Sequence, residues 1–214
     1  KKIYKLSKNY QISPKIILDL FDGIQSDLKN KVVLKTDKDL IIYSYRVAGT
    51  VGLMMAKILK VKSKNSLKSA IDLGIAMQLT NIARDVVEDK KRNRSYINPN
   101  FLTIKDTLRL ADIFYDSSFN SINEISLNSR FAILVARRVY RQIGKKILTK
   151  KNMKNYKNSG KIYVSNFGKI IQTFLSIFDL IKLIFFKFNK LKKESKYNMI
   201  HNIINKRINL NERI

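Results

Sequence analysis

Asn81-Ile82-Ala83-Arg84-Asp85-Val86-Val87-Glu88-Asp89 sets an amide and two carboxylates at four-residue intervals inside an apolar run. On an α-helix each four-residue step turns a side chain by only about 40°, so Asn81, Asp85 and Asp89 form one file. Oxygen donors in a file suit a hard divalent cation. Magnesium is commonly held by one or two carboxylates while water and the phosphates of a bound molecule supply the other ligands. The stretch therefore predicts a helix that grips a diphosphate. Taken alone, the spacing is explained equally by a solvated face laced with i,i+4 pairs such as Arg84 with Glu88. The residues upstream favour the site: Ala70, Leu73, Gly74, Met77 and Gln78 continue the same broad face to Asn81, so the carboxylates end an apolar, small-residue stripe. Charge at the mouth of an apolar lining is costly unless something binds it.

Composition bounds the fold. The 214 residues are 45% hydrophobic, with 7 glycines and 2 prolines to interrupt regular structure, and the strong apolar stripes recur with period 3.6, which predicts an all-α protein. The absence of cysteine excludes disulfides, thiolate catalysis and cysteine metal sites. A formal net charge of +27 would ordinarily point to nucleic acid. Here the lysines scatter through every segment beside many Asn and Ile and no nucleic-acid-binding motif accompanies them, so no nucleic-acid partner is expected. The charge is a background field that attracts anionic groups.

Along the chain, Ser13-Pro14 predicts an N-cap and first helical position for a helix reaching about Asn30. Thr36-Asp37-Lys38-Asp39 reads as an acidic capping box opening a second helix, with Tyr43, Val47, Val51, Met54 and Ile58 on one stripe. Ala48, Gly49 and Gly52 on that helix serve either close helix packing or a slot for a long ligand chain. A third helix from about Ser66 to Lys91 carries the file, and Lys90, Lys91, Arg92 and Arg94 follow as dipole caps or as diphosphate contacts. A weaker helix is predicted over 103–124 and a clear one over 128–151, the latter with Tyr140 in the core and Arg137, Arg138 and Arg141 on a solvated face. Residues 152–160 read as a polar loop. The apolar piece Phe174–Phe188 is broken by Asp179, Lys182 and Lys187, too soon for a spanning helix. It is read as a core helix or as an interfacial one whose Lys190, Lys192 and Lys193 meet anionic headgroups. The expected organisation is one helical domain over 1–193 and a basic, partly disordered tail over 194–214, with His201 at the surface.

Four stretches carry a resemblance. Gln78 to Asp89, followed by Arg94-Ser95-Tyr96-Ile97, is similar to the second aspartate-rich motif of the squalene and phytoene synthases, and most of all of the bacterial-type phytoene synthases. Tyr43-Ser44-Tyr45-Arg46-Val47-Ala48-Gly49-Thr50-Val51-Gly52-Leu53-Met54-Met55 resembles the tyrosine-rich helix of that family. Ile12-Ser13-Pro14, Asp19-Leu20-Phe21-Asp22-Gly23 and Asp27-Leu28 resemble the segment before it, and Lys161-Ile162-Tyr163-Val164-Ser165 resembles a later one in which Arg is usual at the first position. Roughly residues 10 to 170 are covered.

The resemblance implies an isoprenoid-synthase-type helical bundle, here partial, and a prenyltransferase joining two geranylgeranyl diphosphate molecules head to head into phytoene through prephytoene diphosphate, as in carotenoid synthesis. A squalene- or dehydrosqualene-type synthase using farnesyl diphosphate and a noncatalytic family member acting in assembly are the alternatives. It implies Mg2+, or Mn2+, on Asp85, Asp89 and Asn81, no NADPH, catalytic roles for Asp85, Asp89 and Tyr43, and substrate contacts at Gln78, Asn81, Arg84 and Tyr96. Val47, Val51, Gly52, Ala70, Leu73 and Met77 are the expected wall of the prenyl tail. An earlier aspartate-rich motif of the family is not among these residues, so the expectation is an N-terminally truncated fragment that by itself turns over little or no substrate. The expected setting is cytoplasmic, peripheral at the inner face of the membrane, and the oligomeric state is left open.

Overall fold

Ser13 opens a helix as its side chain predicts: its hydroxyl accepts the Lys15 N–H, and Pro14 stands at the first helical position. In the computed structural model, which describes residues 2–185 and 194–214, this helix is α2 (Pro14–Asp27), and a short α1 (Lys2–Asn9) precedes it. The two-residue strand β1 (Val32–Val33) follows. Thr36 then caps α3 (Asp37–Ser44), accepting the Asp39 N–H while its own hydroxyl donates to the Asp39 carboxylate at 2.7 Å. The helix does not end at Ser44. It widens into one π-type turn over Tyr45–Gly49 and resumes as α4 (Thr50–Ile58). A π turn admits one extra residue and shifts the side-chain register. That shift corrects the regular stripe expected here: Tyr43 is buried and Val47 half-buried, but Val51 and Ile58 are exposed, and Tyr45, Thr50 and Leu53 take the inward positions.

Ser63 caps α5 (Lys64–Lys91), the longest helix among the described residues. Helices α3 and α4 with the π turn, α6 (Phe101–Phe119) and α7 (Leu127–Leu148) all pack against it. Ile71, Ile75, Leu79, Ala83 and Ile82 therefore meet a neighbour on nearly every side, and they form the core with Ile104, Phe114, Tyr115, Leu134 and Ile147. Asn93 leaves α5 with a positive φ of 58°, which brings β2 (Arg94–Ser95) parallel to β1, with Val32 opposite Arg94 and Val33 opposite Ser95. A 3-10 turn over Asn120–Glu124 joins α6 to α7.

Two glycines decide how near α4 and α5 come. A Cβ built on Gly52 would stand 2.2 Å from the Ala70 carbonyl oxygen, and one on Gly74 would stand 2.3 Å from the Ala48 carbonyl oxygen. Backbone thus rests on backbone in both directions, and a side chain on either residue pushes the helices apart.

Beyond α7 the structure departs from several expectations. Arg137, Arg138 and Arg141 are not a solvated face. Arg137 is buried and donates twice to the Tyr115 carbonyl, Arg138 forms a bidentate pair with Asp179, and Arg141 bridges Asp112 and Asp116. Each ties α7 to a neighbouring helix, a use that periodicity within α7 does not reveal. The expected loop at 152–160 contains the short helix α8 (Met153–Asn158), capped by Asn152 and anchored by buried Tyr156. Residues 194–214, expected as a partly disordered tail, form α10 (Glu194–Arg207) and a 3-10 turn over Leu210–Glu212. Ile204, Ile208 and Leu210 are buried, Arg207 pairs with Asp39, and Arg213 grips Asp19 with two hydrogen bonds. His201 is buried rather than superficial, its Nε2 lying 2.7 Å from Asp72. The apolar piece is α9 (Asn166–Phe185), and the expected Lys190, Lys192 and Lys193 contacts fall outside the described residues. No helix among the described residues is long and apolar enough to cross a membrane.

Because the α4–α5 crossing is backbone on backbone, Gly74→Ala is expected to lower unfolding stability by about 3 kcal/mol, the upper part of the usual overpacking cost. Gly160→Ala, where a Cβ meets nothing but φ is +60°, should cost about 1 kcal/mol through backbone strain alone. Urea denaturation of the two variants side by side checks the ranking.

Candidate active site

Beside the glycine crossing the helices border a half-open hollow of about 460 Å3. Val47, Val51 and Gly52 supply one wall, Ala70, Leu73 and Met77 another, and Gln78 and Asn81 lie at its α5 end. All eight were singled out from the sequence. The remaining wall comes from α6, α7 and the turn between them, including Ser118, Ile122, Ile133 and Tyr140, none of which the sequence marked as site residues. Half-buried Tyr140 is thus wall and not core. The lining is mostly hydrocarbon, as a pocket for an extended apolar chain requires. Gly52 makes the close approach and also borders the hollow.

The acceptor file runs on from that hollow, but it turns away as it goes. Asn81 lines the apolar hollow, whereas Asp89, two turns later, lines a second pocket of about 350 Å3 together with Lys31, Lys90, Asn93, Arg94, Ser95 and Tyr96. Asp85 stands between them. Arg84 holds it with two hydrogen bonds of 2.8 and 2.6 Å, and Lys161 reaches it at 3.5 Å while bonding Glu88 at 3.1 Å. The pair Arg84–Glu88 envisaged from spacing is therefore replaced by Arg84–Asp85 and Lys161–Glu88. Tyr156 locks the backbone here, its hydroxyl lying 3.0 and 2.6 Å from the carbonyl oxygens of Ala83 and Arg84.

Two further features bear on a cation. The Asn81 Oδ1 atom is buried and meets no hydrogen-bond partner. Burial, and after it the neighbouring Asp85 charge, pushes the Asp89 carboxyl up from 3.8 to about 6, and Arg94 and Arg92 only partly oppose this. An orphaned amide oxygen and a carboxylate that is uncomfortable as an anion are what a hard cation relieves. No group of three or more His, Cys, Asp or Glu side chains that could hold a metal lies among the described residues. The donors present thus fit an ion that takes the rest of its oxygens from water and phosphate, as magnesium does, and not one caged by protein alone.

Tyr43 occupies neither lining. Its ring stacks on Tyr96, with centroids 4.8 Å apart, and its hydroxyl donates to Asp27 at 2.7 Å while that of Tyr96 donates to the other Asp27 oxygen at 2.8 Å. Burial first, and then the Asp27 bond, pushes the Tyr96 hydroxyl up to about 12, and Tyr43 is raised further for the same reasons, so both phenols stay protonated donors. The Arg94 guanidinium donates to the Asp27 carbonyl at 3.3 Å. Asp27, quoted above only as part of a motif, is the hub that ties α2, α3 and the β2 segment together. A half-buried carboxylate held by two tyrosines is invisible in sequence because its partners lie 16 and 69 residues away.

With this geometry in place, comparison with known proteins is informative. Residues 2–104, just under half of the chain, match the model of the family described as squalene/phytoene synthase. It is 32% identical over 164 residues to a phytoene synthase of Pseudescherichia vulneris, covering 67% of this chain and 53% of that protein. It is 33% identical over 159 residues to a 15-cis-phytoene synthase of Pantoea ananas, covering 64% and 51% respectively. The chain thus spans about half the length of these curated relatives. A dehydrosqualene synthase crystallised with a ligand shares the fold with a TM-score of 0.62 at 25% identity, covering 80% of this chain and 67% of that one. The all-α, isoprenoid-synthase-type architecture expected from the sequence is therefore the one found.

The raised carboxyl has a consequence for stability. A folded-state pKa near 6 against 3.8 means that ionising Asp89 costs the folded state free energy, a penalty present above pH 6 and relieved as pH falls towards 4. After discounting for solvent, Asp89→Asn is expected to raise stability by about 1 to 2 kcal/mol at pH 7.5 and by almost nothing at pH 4. Thermal melts at the two pH values read the difference directly, and an equal gain at both would contradict this electrostatic origin.

Proposed function

We propose that this chain belongs to a prenyltransferase that joins two geranylgeranyl diphosphate molecules head to head into phytoene, through prephytoene diphosphate. The observation that supports this reading most is the junction at Asn81, where an apolar hollow ends on an unpartnered amide oxygen and the two carboxylates follow on the next two turns. A molecule with a long hydrocarbon tail and a multiply charged head matches such a junction.

Asp85, Asp89 and Asn81 would hold Mg2+, which when bound neutralises charge on the departing diphosphate and eases cleavage of the allylic C–O bond. The protein's own groups do the rest. Arg84 and Lys161 hold the Asp85 carboxylate in place. Lys90, Arg94 and Lys31 in the second pocket present positive charge to phosphate oxygens. Val47, Leu73, Met77 and the α6–α7 wall exclude water, which would otherwise trap an allylic cation as an alcohol. Tyr43 and Tyr96, clamped by Asp27, fix the segment that carries Arg94. In this structure Tyr43 supports the site from behind, so cation stabilisation by its face is not part of the proposal.

The head-to-head condensation requires no reductant when phytoene is the product, and NADPH has no place in this reading. Tail length is the finer question, because the similar dehydrosqualene synthase makes farnesyl diphosphate the natural competitor.

Titration of the chain with geranylgeranyl thiodiphosphate, which resists C–O cleavage, tests the site without requiring turnover. Binding is expected only with Mg2+ or Mn2+, and Asp89→Asn should weaken it about tenfold, or 1.4 kcal/mol. Metal-dependent affinity should fall as pH drops through about 6, since ligation needs the ionised carboxylate. Tighter binding of the farnesyl analogue would reassign the substrate to the squalene type. No metal-dependent binding of either analogue would leave a noncatalytic member of the family.

A further inference from the structure

The π turn over Tyr45–Gly49 is held in place from a distance. The Thr50 N–H reaches back five residues to the Tyr45 carbonyl, which leaves the Arg46 carbonyl to the Thr50 hydroxyl at 2.7 Å. Such a turn is rare and reverts to ordinary helix unless its surroundings fix it. Reversion would take out the extra residue and turn α3 against α4 by about 100°. Tyr43 is fixed by Asp27 and Tyr96, so the rotation would fall on Val47, Val51 and Gly52, three residues that line the hollow.

The fastening runs through α2 to Arg213. Asp19 and Gly23 lie one turn apart on α2 and both meet the π turn. A Cβ on Gly23 would stand 2.8 Å from Val47 Cγ1 and 2.9 Å from Arg46 Cβ, so α2 rests directly on those residues. Buried Asp19 accepts the Tyr45 hydroxyl at 2.9 Å, while burial first and the Asp19 charge second hold that phenol far above its usual range, as a donor. A phenol alone does not compensate a buried carboxylate. Arg213 supplies the opposite charge, its Nε donating at 2.9 Å and its Nη2 at 3.1 Å, one to each Asp19 oxygen. The guanidinium is aimed by the 3-10 turn over Leu210–Glu212, in which Leu210 is buried and its N–H donates to the Asn205 side chain. Residues 194–214 are already anchored by buried Ile204, Ile208 and Leu210 and by Arg207 on Asp39. Arg213 goes instead to the carboxylate that holds Tyr45. We propose that Arg213 is a positioning residue for the apolar hollow: through Asp19 and Tyr45 it keeps the π turn in place, and with it the wall of Val47, Val51 and Gly52. Only the shape of the hollow is involved, so failure of the metal-dependent titration above would leave this role untouched.

Hydrogen–deuterium exchange on Arg213→Ala, Tyr45→Phe and the double variant tests it, with farnesol as an uncharged apolar probe. Each single variant is expected to speed exchange of the 45–52 amides about tenfold while residues 75–83 of α5 keep their protection. Farnesol should slow exchange over 47–55 in the unaltered chain and bind each variant about tenfold more weakly. The double variant should resemble the singles, because both changes act through one linkage. Arg213→Ala lowers the melting temperature whatever its role, so Tyr45→Phe, which leaves the Asp19–Arg213 pair whole, separates positioning from stability. Unchanged exchange at 45–52 in Tyr45→Phe overturns the proposal. So does farnesol affinity that the single variants leave as it was, and so do losses that multiply in the double variant.

Discussion

Two backbone contacts on α5, Gly52 of α4 against the Ala70 carbonyl and Gly74 against the carbonyl of Ala48 in the π turn, set the geometry on which the site depends. Where two helices touch through backbone, the side chains beside the contact cannot interdigitate and must splay around it. The hollow is the volume left by that splaying, and Val47, Val51, Ala70, Leu73 and Met77 line it because they flank the crossing. The π turn over Tyr45–Gly49 serves the same end. It rotates the chain by one extra residue, so that Tyr43 reaches half-buried Asp27 and Tyr45 reaches buried Asp19 while Val47 and Val51 still reach the hollow.

The charged end of α5 is arranged around a second constraint, that carboxylates close to apolar surface need partners. The structure meets it unequally. Asp85 is neutralised within the protein by Arg84 and Lys161, while Asp89 sits near pH 6 and the Asn81 oxygen has no donor. Such groups lower stability at neutral pH and are retained where something outside the protein completes them. The same logic explains Asp27, Asp19 and Asp72. Each is satisfied by distant residues, namely Tyr43 with Tyr96, Tyr45 with Arg213, and His201 with Ser117. These carboxylates act as fasteners that join segments remote in the chain, and the last two attach the C-terminal region to the helical core.

The helix starts were legible because they are local. Ser13 and Thr36 act through hydrogen bonds within three residues, and the file 81, 85, 89 is a property of one helix, whose cap Ser63 stands one turn before the Ser66 expected to open it. The lining of the hollow was legible for a related reason: small and apolar residues on two consecutive helices that must lie side by side have few other places to go. The resemblance of Tyr43–Met55 and Gln78–Asp89 to a known family located the same helices. What failed to read was everything that depends on a partner. Arg137, Arg138 and Arg141 look solvated on a helical wheel, and His201 looks stray in a lysine- and asparagine-rich tail, until α6, α9 and α5 supply Tyr115, Asp112, Asp116, Asp179 and Asp72.

Sequence by itself determined that the chain is helical, where its main helices begin, and that one of them bears oxygen donors at the end of an apolar stripe, since periodicity and capping act over a few residues. Tertiary structure alone decided that the stripe borders a half-open hollow, that the donors divide between that apolar hollow and a basic pocket, and that α9 faces outward. Those outcomes depend on how closely helices approach and which surfaces remain uncovered, and a distance between segments a hundred residues apart has no signature in either one taken alone.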